Sequence, residues 1–420
     1  MEDKSLKNIK IAETQRATYE KRRKQVCRVF QIKIQDNKLS RYQREQLKML
    51  FVEGKWCYNA IVAFPSVGEY DTKTKVVLHK YKDGNDITSE YSYLPQSLRQ
   101  TIKKGIQDSI RVLATRKKRG YKVGGLKFIQ CLSSLDFKQF GVTHKILFHN
   151  KVKIQGVKGE LKVNGLDQIY GNADYDIASW KLLNRPDGYY INITTYVDED
   201  KIEKKNKNGK TIGIDFGCRT SFTTSEGEKL NFKVQESGRI KNLQRKMFKE
   251  KKGSKRYERT RHLLKVEYQK LSAKKNDLSN KAVSRFMLYD KVVFQDEMLP
   301  LWQKSHFGKS IQHSILGRVK RELLKKDNIV VISRNAPTTK FCPACARINP
   351  IKLSERMYHC KCGLKEDRDF HAAKNMLWFY ENNVGVGRTK FKREEIQEAI
   401  DKAYGKLDCR ESLKREAVTF

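Results

Sequence analysis

No run of eighteen apolar residues occurs in the 420-residue chain, and its first segment, MEDKSLKNIKIAETQRATYEKRRKQ, lacks the apolar stretch of a secretory signal. Neither a membrane span nor a signal peptide is expected, and the expected location is the cytoplasm. No internal repeat is apparent. Acid is also scarce: Asp plus Glu number 48 against 88 Lys plus Arg, a formal net charge of +40. Self-repulsion on that scale calls for a polyanionic partner. A basic membrane-surface protein would carry a lipid-facing amphipathic segment, and none is evident, so nucleic acid is the expected partner. With 38% hydrophobic and 32% charged residues the chain can still fold, and its length suits two or three domains.

The cysteines lack the spacing of a secreted disulfide framework. Cys27, Cys57, Cys131, Cys218 and Cys409 are scattered, whereas Cys342, Cys345, Cys360 and Cys362 lie within 21 residues. Metal binding is the reading of that cluster. FCPAC is one C-x-x-C knuckle and HCKCG a second, tighter pair. Four thiolates suit one tetrahedral Zn²⁺ in a closed, structural site. Cys342, Cys345 and Cys362 are expected ligands with Cys360 as the fourth. His359 is the alternative fourth ligand, because His359 with Cys362 restores the usual separation.

Residues 26–34, VCRVFQIKI, alternate as a strand. Helical spacing follows over 40–64, where Leu47, Leu50, Phe51 and Ile61 form a stripe and Ser40 with Gln43 supplies a capping box. A second helix starts at Pro95, with Leu98, Ile102, Ile106 and Leu113 on one side and Arg99, Lys103, Lys104 and Arg111 largely elsewhere. Residues 123–197 read as short strands forming a small barrel or twisted sheet. KIEKKNKNGK, 201–210, is a polar linker, and the main domain boundary is expected there. Beyond it come a buried strand in TIGIDFG, a long charged helical region to about 290, a strand over 292–297, a helix near 309–325, a strand in NIVVIS and a helix from Phe370. This alternation suggests a mixed α/β sheet covered by helices. A further helix is expected over 396–404.

Three acids stand out in so basic a chain. In TIGIDFG, Thr211, Gly213 and Asp215 share one strand face, and the glycines leave room beside the carboxylate. In VVFQDEML, Glu297 is favoured over Asp296 to share the side of Asp215. In KEDRDFHAAKNM, Asp369 sits where a helix N-cap would be, while spacing does not fix the direction of Asp367. Taken alone, Asp215 reads more readily as a turn cap, Glu297 equally well as a solvated strand end, and Asp369 also as a simple cap. Three remote carboxylates converging at strand and helix ends can hold two hard cations such as Mg²⁺, the arrangement that cleaves phosphodiesters.

These pieces in this order resemble TnpB, the RNA-guided nuclease of insertion-sequence transposons, and its descendants the miniature type V-F CRISPR effectors. The sharpest portion is PTTKFCPACARINPIKLSERMYHCKCGLKEDRDFHAAKNM, similar to the family's zinc-finger segment followed by its third RuvC motif, D-R-D-x-N-A-A. His371 replaces the usual Asn, Ala346 replaces the usual Gly, and one knuckle residue is missing. GIDFG and QDEML look like the first and second RuvC motifs, so the resemblance gives Asp215, Glu297 and Asp369 the catalytic and magnesium-binding roles. KGSKRYERTRHLLK is similar to the basic helix this family runs along its guide-target duplex. From Arg239 to Arg261 eleven Lys or Arg stand against Glu250 and Glu258, a balance of +9. Arg239, Lys241, Arg245, Lys246, Lys249, Lys251, Lys252, Lys255 and Arg256 are therefore expected nucleic-acid contacts, with Arg99, Lys103 and Lys104 nearer the N-terminus. Trp56 and Tyr58 fit the helical apolar pattern better than a base-stacking role.

The fold implied is multidomain α+β: an N-terminal wedge-type β-barrel with an inserted helical recognition domain, and a C-terminal RuvC (RNase H-like) α/β domain with an inserted zinc finger. The corresponding segments are 1–39, an extension and first barrel strand; 40–119, recognition helices; 120–200, the rest of the barrel; and 201–210, the linker. Then follow 211–337, the nuclease domain; 338–366, the zinc finger; 367–383, the third-motif helix; and 384–420, a tail. The implied function is RNA-guided cleavage of double-stranded DNA, including its displaced strand, at one RuvC centre with two Mg²⁺ and one structural Zn²⁺. Miniature CRISPR effectors of this type often work as pairs, so a homodimer on one guide RNA is compatible with the resemblance, as is a single copy. A non-cleaving RNA-guided repressor and an RNase H-like recombinase without guide RNA are the alternatives.

Overall fold

The computed structural model of the chain describes residues 2–80, 86–170, 175–202, 206–352, 354–387 and 391–416. It is a mixed α/β structure of two compact units, Met1–Glu203 and Lys204–Phe420. No helix among the described residues is long and apolar enough to cross a membrane.

The first unit opens with a helix that the hydrophobic pattern did not announce, α1 (Glu2–Arg23). Its end is tied to the following sheet by a Lys21–Asp176 ion pair of 2.7 Å and by Arg22 stacked 3.8 Å over the ring of Tyr196. Strand β1 (Gln25–Ile34) leads to α2 (Arg41–Ala63), the hairpin β2 (Val76–Lys80) and β3 (Asp86–Glu90), and α3 (Gln96–Lys118). Short strands β4 (Ser134–Phe137), β5 (His144–Leu147), β6 (Lys151–Ile154) and β7 (Leu161–Asn164), the single turn α4 (Asp167–Tyr170), and long strands β8 (Asp176–Arg185) and β9 (Gly188–Asp198) complete it. All seven strands outside the hairpin form one antiparallel sheet in the order β4-β8-β9-β1-β7-β6-β5. Its two ends are consecutive in the chain, and His144 of β5 packs 4.6 Å from Trp180 of β8, so the sheet curls back on itself.

The Ser40–Gln43 capping box starts α2, whose Leu47, Leu50, Phe51 and Ile61 are buried. Trp56 stacks on His79 of the hairpin at 4.0 Å. Glu53, 1% exposed, accepts the backbone N–H groups of Ser92, Tyr93 and Leu94 at 3.2, 3.0 and 2.7 Å, which fixes the entry into α3.

In the second unit, β10 (Thr211–Phe216), β11 (Phe222–Thr224) and β12 (Lys229–Leu230) form an antiparallel meander. A helical hairpin follows, α5 (Gly238–Lys249) and α6 (Lys255–Phe286), then β13 (Lys291–Gln295), the short helices α7 (Leu299–Lys304), α8 (Gly308–His313) and α9 (Leu316–Leu323), and β14 (Ile329–Ile332). The helix expected near 309–325 is thus broken, with Ser314 and Ile315 between α8 and α9. The two-stranded ribbon β15 (Met357–His359) and β16 (Lys365–Asp367) then leads to α10 (Arg368–Glu381) and α11 (Arg393–Glu416). The sheet order is β12-β11-β10-β13-β14, with β10, β13 and β14 parallel. Parallel strands buried on both faces need near-continuous apolar sequence, which VVF in β13 and IVVI in β14 supply.

Candidate active site and metal centre

Alternation along β10 sends Ile212, Ile214 and Phe216 into the unit's core, where Phe216 meets Phe222 and Phe294, each at 5.2 Å. The other face carries Gly213 and Asp215. A Cβ on Gly213 would lie 2.1 Å from the carbonyl oxygen of Ala373, so the backbone of α10 rests directly on the strand at that point. The glycine was expected to leave room for the Asp215 carboxylate. The room is in fact filled by a helix.

That contact sets the geometry of the site. Asp215 is two residues beyond Gly213, an advance of about 6.7 Å along a strand. Asp369 is four residues before Ala373, about 6 Å back along the helix and on the same face. Both residues are thus carried similar distances, about 6–7 Å, from the contact. Asp215 is pushed well above the ordinary carboxylate range, first by burial and then by the charges of Asp369 and Glu297, with Arg368 opposing.

Asp369 is not the N-cap. Asp367 takes that role, accepting the N–H groups of Asp369 and Phe370, each at 3.1 Å, and pairing with Lys229 at 2.7 Å. Capping by the earlier acid leaves the Asp369 side chain in the first turn, 3.5 Å from the Arg368 guanidinium.

Strand β13 ends at Gln295, so the adjacent acids stand beyond it at the carboxyl end of the parallel strands, where open α/β sheets bind ligands. Asp296 is occupied by Lys320 at 2.7 Å and Arg334 at 3.3 Å. Glu297 instead lines the same cleft as Asp215, and its carboxyl is pushed up to about 7, chiefly by burial and against the pull of Lys320. Buried Gln295 fastens the loop below the cleft, donating to the carbonyls of Ser333 and Ala336 at 3.0 and 2.7 Å and accepting from the Thr338 hydroxyl at 2.8 Å. No sequence pattern had singled it out.

The four cysteines converge more tightly. Their sulfur atoms all lie within 4.8 Å of one another, with 3.6 Å from Cys342 to Cys362 and 3.4 Å from Cys345 to Cys360. Tetrahedral zinc–sulfur bonds of about 2.3 Å would set sulfur atoms about 3.8 Å apart, so the donor set fits such an ion. Among the described residues this is the only cluster of three or more His, Cys, Asp or Glu ligand atoms so close; Asp215, Glu297 and Asp369 do not form one. His359 is exposed and outside the cluster, which removes it as the alternative ligand because Cys360 fills the fourth position. Burial alone would raise the Cys360 thiol, but the N–H of Cys362 and the amide of Asn349, 3.2 Å away, favour its thiolate and bring it to about 6.

The cluster is joined to α10 by direct contacts. Tyr358, one residue before the second knuckle begins, stacks on His371 of α10 with ring centres 3.7 Å apart. His371 is fully buried, with Nδ1 3.0 Å from Glu366 and Nε2 2.7 Å from the carbonyl of Phe341. Ala346 adopts a φ of 55°, a conformation in which a side chain strains and glycine does not.

Of the basic residues singled out, Arg239, Lys241, Arg245, Lys246, Lys249, Lys251, Lys252, Lys255 and Arg256 are all exposed on α5, α6 and the turn between them. Arg239 pairs with Glu267 at 3.4 Å. Arg99 is a correction: it is 5% exposed, donates to the carbonyls of Thr72 and Leu94 at 2.9 and 3.3 Å, and stacks on Tyr91. Its guanidinium is spent on loop carbonyls, so it is not a surface contact. Lys103 likewise donates to the carbonyls of Gly68 and Tyr70 at 2.8 and 2.9 Å, while Lys104 is exposed.

Residues 319–376 match the protein family described as Cas12f1-like, TNB domain. A Streptomyces pristinaespiralis protein named "Putative RNA-guided DNA endonuclease" is 25% identical over 190 residues, 43% of this chain and 47% of its own length. "Putative transposase R186" of Acanthamoeba polyphaga mimivirus is 27% identical over 240 residues, 52% of this chain and 48% of its own. The chain thus spans about half the length of the curated relatives it matches. Among solved structures, a Cas12f1–sgRNA–target DNA complex aligns with a TM-score of 0.39 and 12% identity, covering 67% of this chain and 71% of that one. The mini-RNA-guided endonuclease CRISPR-Cas phi3 aligns at 0.43 and 10%, covering 87% and 94%. What the comparisons establish is a segment, residues 319–376, similar to the Cas12f1-like TNB domain family.

Proposed function

We propose that this chain is an RNA-guided DNA endonuclease of the cytoplasm, hydrolysing target DNA at a single RuvC-type centre in an RNase H-like domain. The observation that carries the reading is the placement of Asp215 and Glu297 in one cleft at the carboxyl end of a parallel sheet, with Asp369, from a third stretch of the chain, close enough for its charge to act on Asp215. Such crowding of carboxylates in a chain of net charge +40 is unfavourable without a cation, which makes the site a fit for hard divalent ions. Two Mg²⁺ ions there would activate water and stabilise the leaving oxygen of a phosphodiester. The protein's own part is to hold the three carboxylates in position, with the Gly213–Ala373 contact fixing two of them and Gln295 supporting the third.

The exposed cations of α5 and α6 would grip the backbone of a guide RNA–target DNA duplex, whose sequence is read by base pairing. The four cysteines would hold one Zn²⁺ as a structural ion, stiffening the segment ahead of α10. The barrel-like sheet with its inserted helices would serve as wedge and recognition domains, and the name of the Streptomyces relative supports the same activity. Copurifying RNA should be one defined transcript, and the complex should cut matched duplex DNA only with Mg²⁺. Asp215→Ala should abolish cutting and leave RNA bound; equal loss of both would make the residue structural and sink the reading.

A further inference from the structure

The cleft holding Asp215 and Glu297 has a volume of about 760 Å³, and part of its lining comes from the C-terminal helix α11, a segment with no recognisable chemistry in its sequence. Ile396 and Ile400 of α11 are buried in the core of the second unit. The helix is fastened at two further points: Asn335 Nδ2 donates to the carbonyl of Phe391 at 2.8 Å, and the Tyr404 hydroxyl donates to the carbonyl of Ala344 at 2.7 Å, between the first two cysteines. Helical periodicity then turns Arg393, Glu394, Gln397 and Glu398 toward the cleft. The helix is part of the cleft wall.

The cations of the lining differ in availability. The Arg334 guanidinium is engaged by Asp296 at 3.3 Å. Lys340 and Arg393 are exposed, and neither forms an ion pair among the described residues. A turn of duplex, about 34 Å long, cannot be contained in a cavity of this volume, whereas one strand can pass through it. Glu394 and Glu398 flank Arg393 on the helix and repel a phosphate backbone, so that Arg393 is the one attractive point on that wall.

We infer that Lys340 and Arg393 bind backbone phosphates of a single DNA strand threaded past Asp215 and Glu297, making α11 a substrate-positioning element. The inference rests on the nuclease reading above and extends it to two residues outside the carboxylate set. The test uses the full chain with its guide RNA and measures cutting at limiting DNA across a series of KCl concentrations. Arg393→Gln and Lys340→Gln should each raise KM more than they lower kcat, and each should flatten the log–log salt dependence by about 0.7, the single-strand value for one phosphate contact. Arg393→Lys should restore most of the slope. Unchanged slopes, with Asp215→Ala still inactive, would overturn this inference and leave the nuclease reading standing. Should the parent chain not cut at all, a strand carrying 5-iodouridine decides by photocrosslinking: adducts within 391–404 support the assignment, and their absence overturns it.

Discussion

Replacing Gly213 by alanine probes the contact on which the site is built. The added Cβ would stand 2.1 Å from the Ala373 carbonyl oxygen, about 1.2 Å closer than the nearest ordinary carbon–oxygen approach of about 3.3 Å. The obstacle is backbone in the middle of a helix, so relief requires α10 to retreat. Overpacking of this kind costs about 3 kcal/mol, the upper part of its usual range, since no flexible side chain can yield. For a unit of this size that is a fall in Tm of about 6–12 °C, readable by calorimetry. The same retreat lifts Asp369 away from Asp215 by about 1 Å, and a misplacement of that order lowers cutting by about 100-fold. Gly238→Ala is the matched control, because a Cβ there meets nothing within 4 Å. Indistinguishable melting and cutting by the two variants would refute the close approach and the geometry derived from it.

In the metal-free protein, Glu297, raised to about 7, and Asp215, raised well above its usual range, hold protons that the unfolded chain has already released above the ordinary carboxylate pKa. Metal-free stability should therefore fall as pH rises toward 7, while the Tm increment given by Mg²⁺ should grow between roughly pH 5 and 8; an increment independent of pH would contradict the assignment. Cys342→Ser should bring bound zinc, measured by mass spectrometry, from one ion per chain to near none and lower the Tm of the second unit with it. Ala346→Gly should stabilise the zinc-loaded chain by about 1 kcal/mol through relief of the positive φ, read as a higher denaturation midpoint.

Periodicity was informative where one face is buried. The alternation in TIGIDF separates the core residues Ile212 and Ile214 from Asp215, and the spacing of Leu47, Leu50, Phe51 and Ile61 marks the buried stripe of α2. Cysteine spacing was informative because thiolate chemistry leaves few other uses for two adjacent knuckles. Contacts between remote segments left no local trace. Arg99 lies on a helix face that reads as solvated, and only the arrival of the Thr72 and Leu94 carbonyls buries it. Asp367 and Asp369 are both competent caps, and pairing with Lys229 from 138 residues away accompanies the choice of Asp367. The chemistry of α11 was invisible for the same reason: its polar face acquires meaning only beside Asp215.

The central claim is that three carboxylates distant in sequence form one cation site. The most direct measurement is a crystal structure of the complex with Mn²⁺ in place of Mg²⁺, recorded at the manganese absorption edge. Anomalous density between Asp215, Glu297 and Asp369 is the predicted result, and a fully loaded crystal with no such density there would contradict the account.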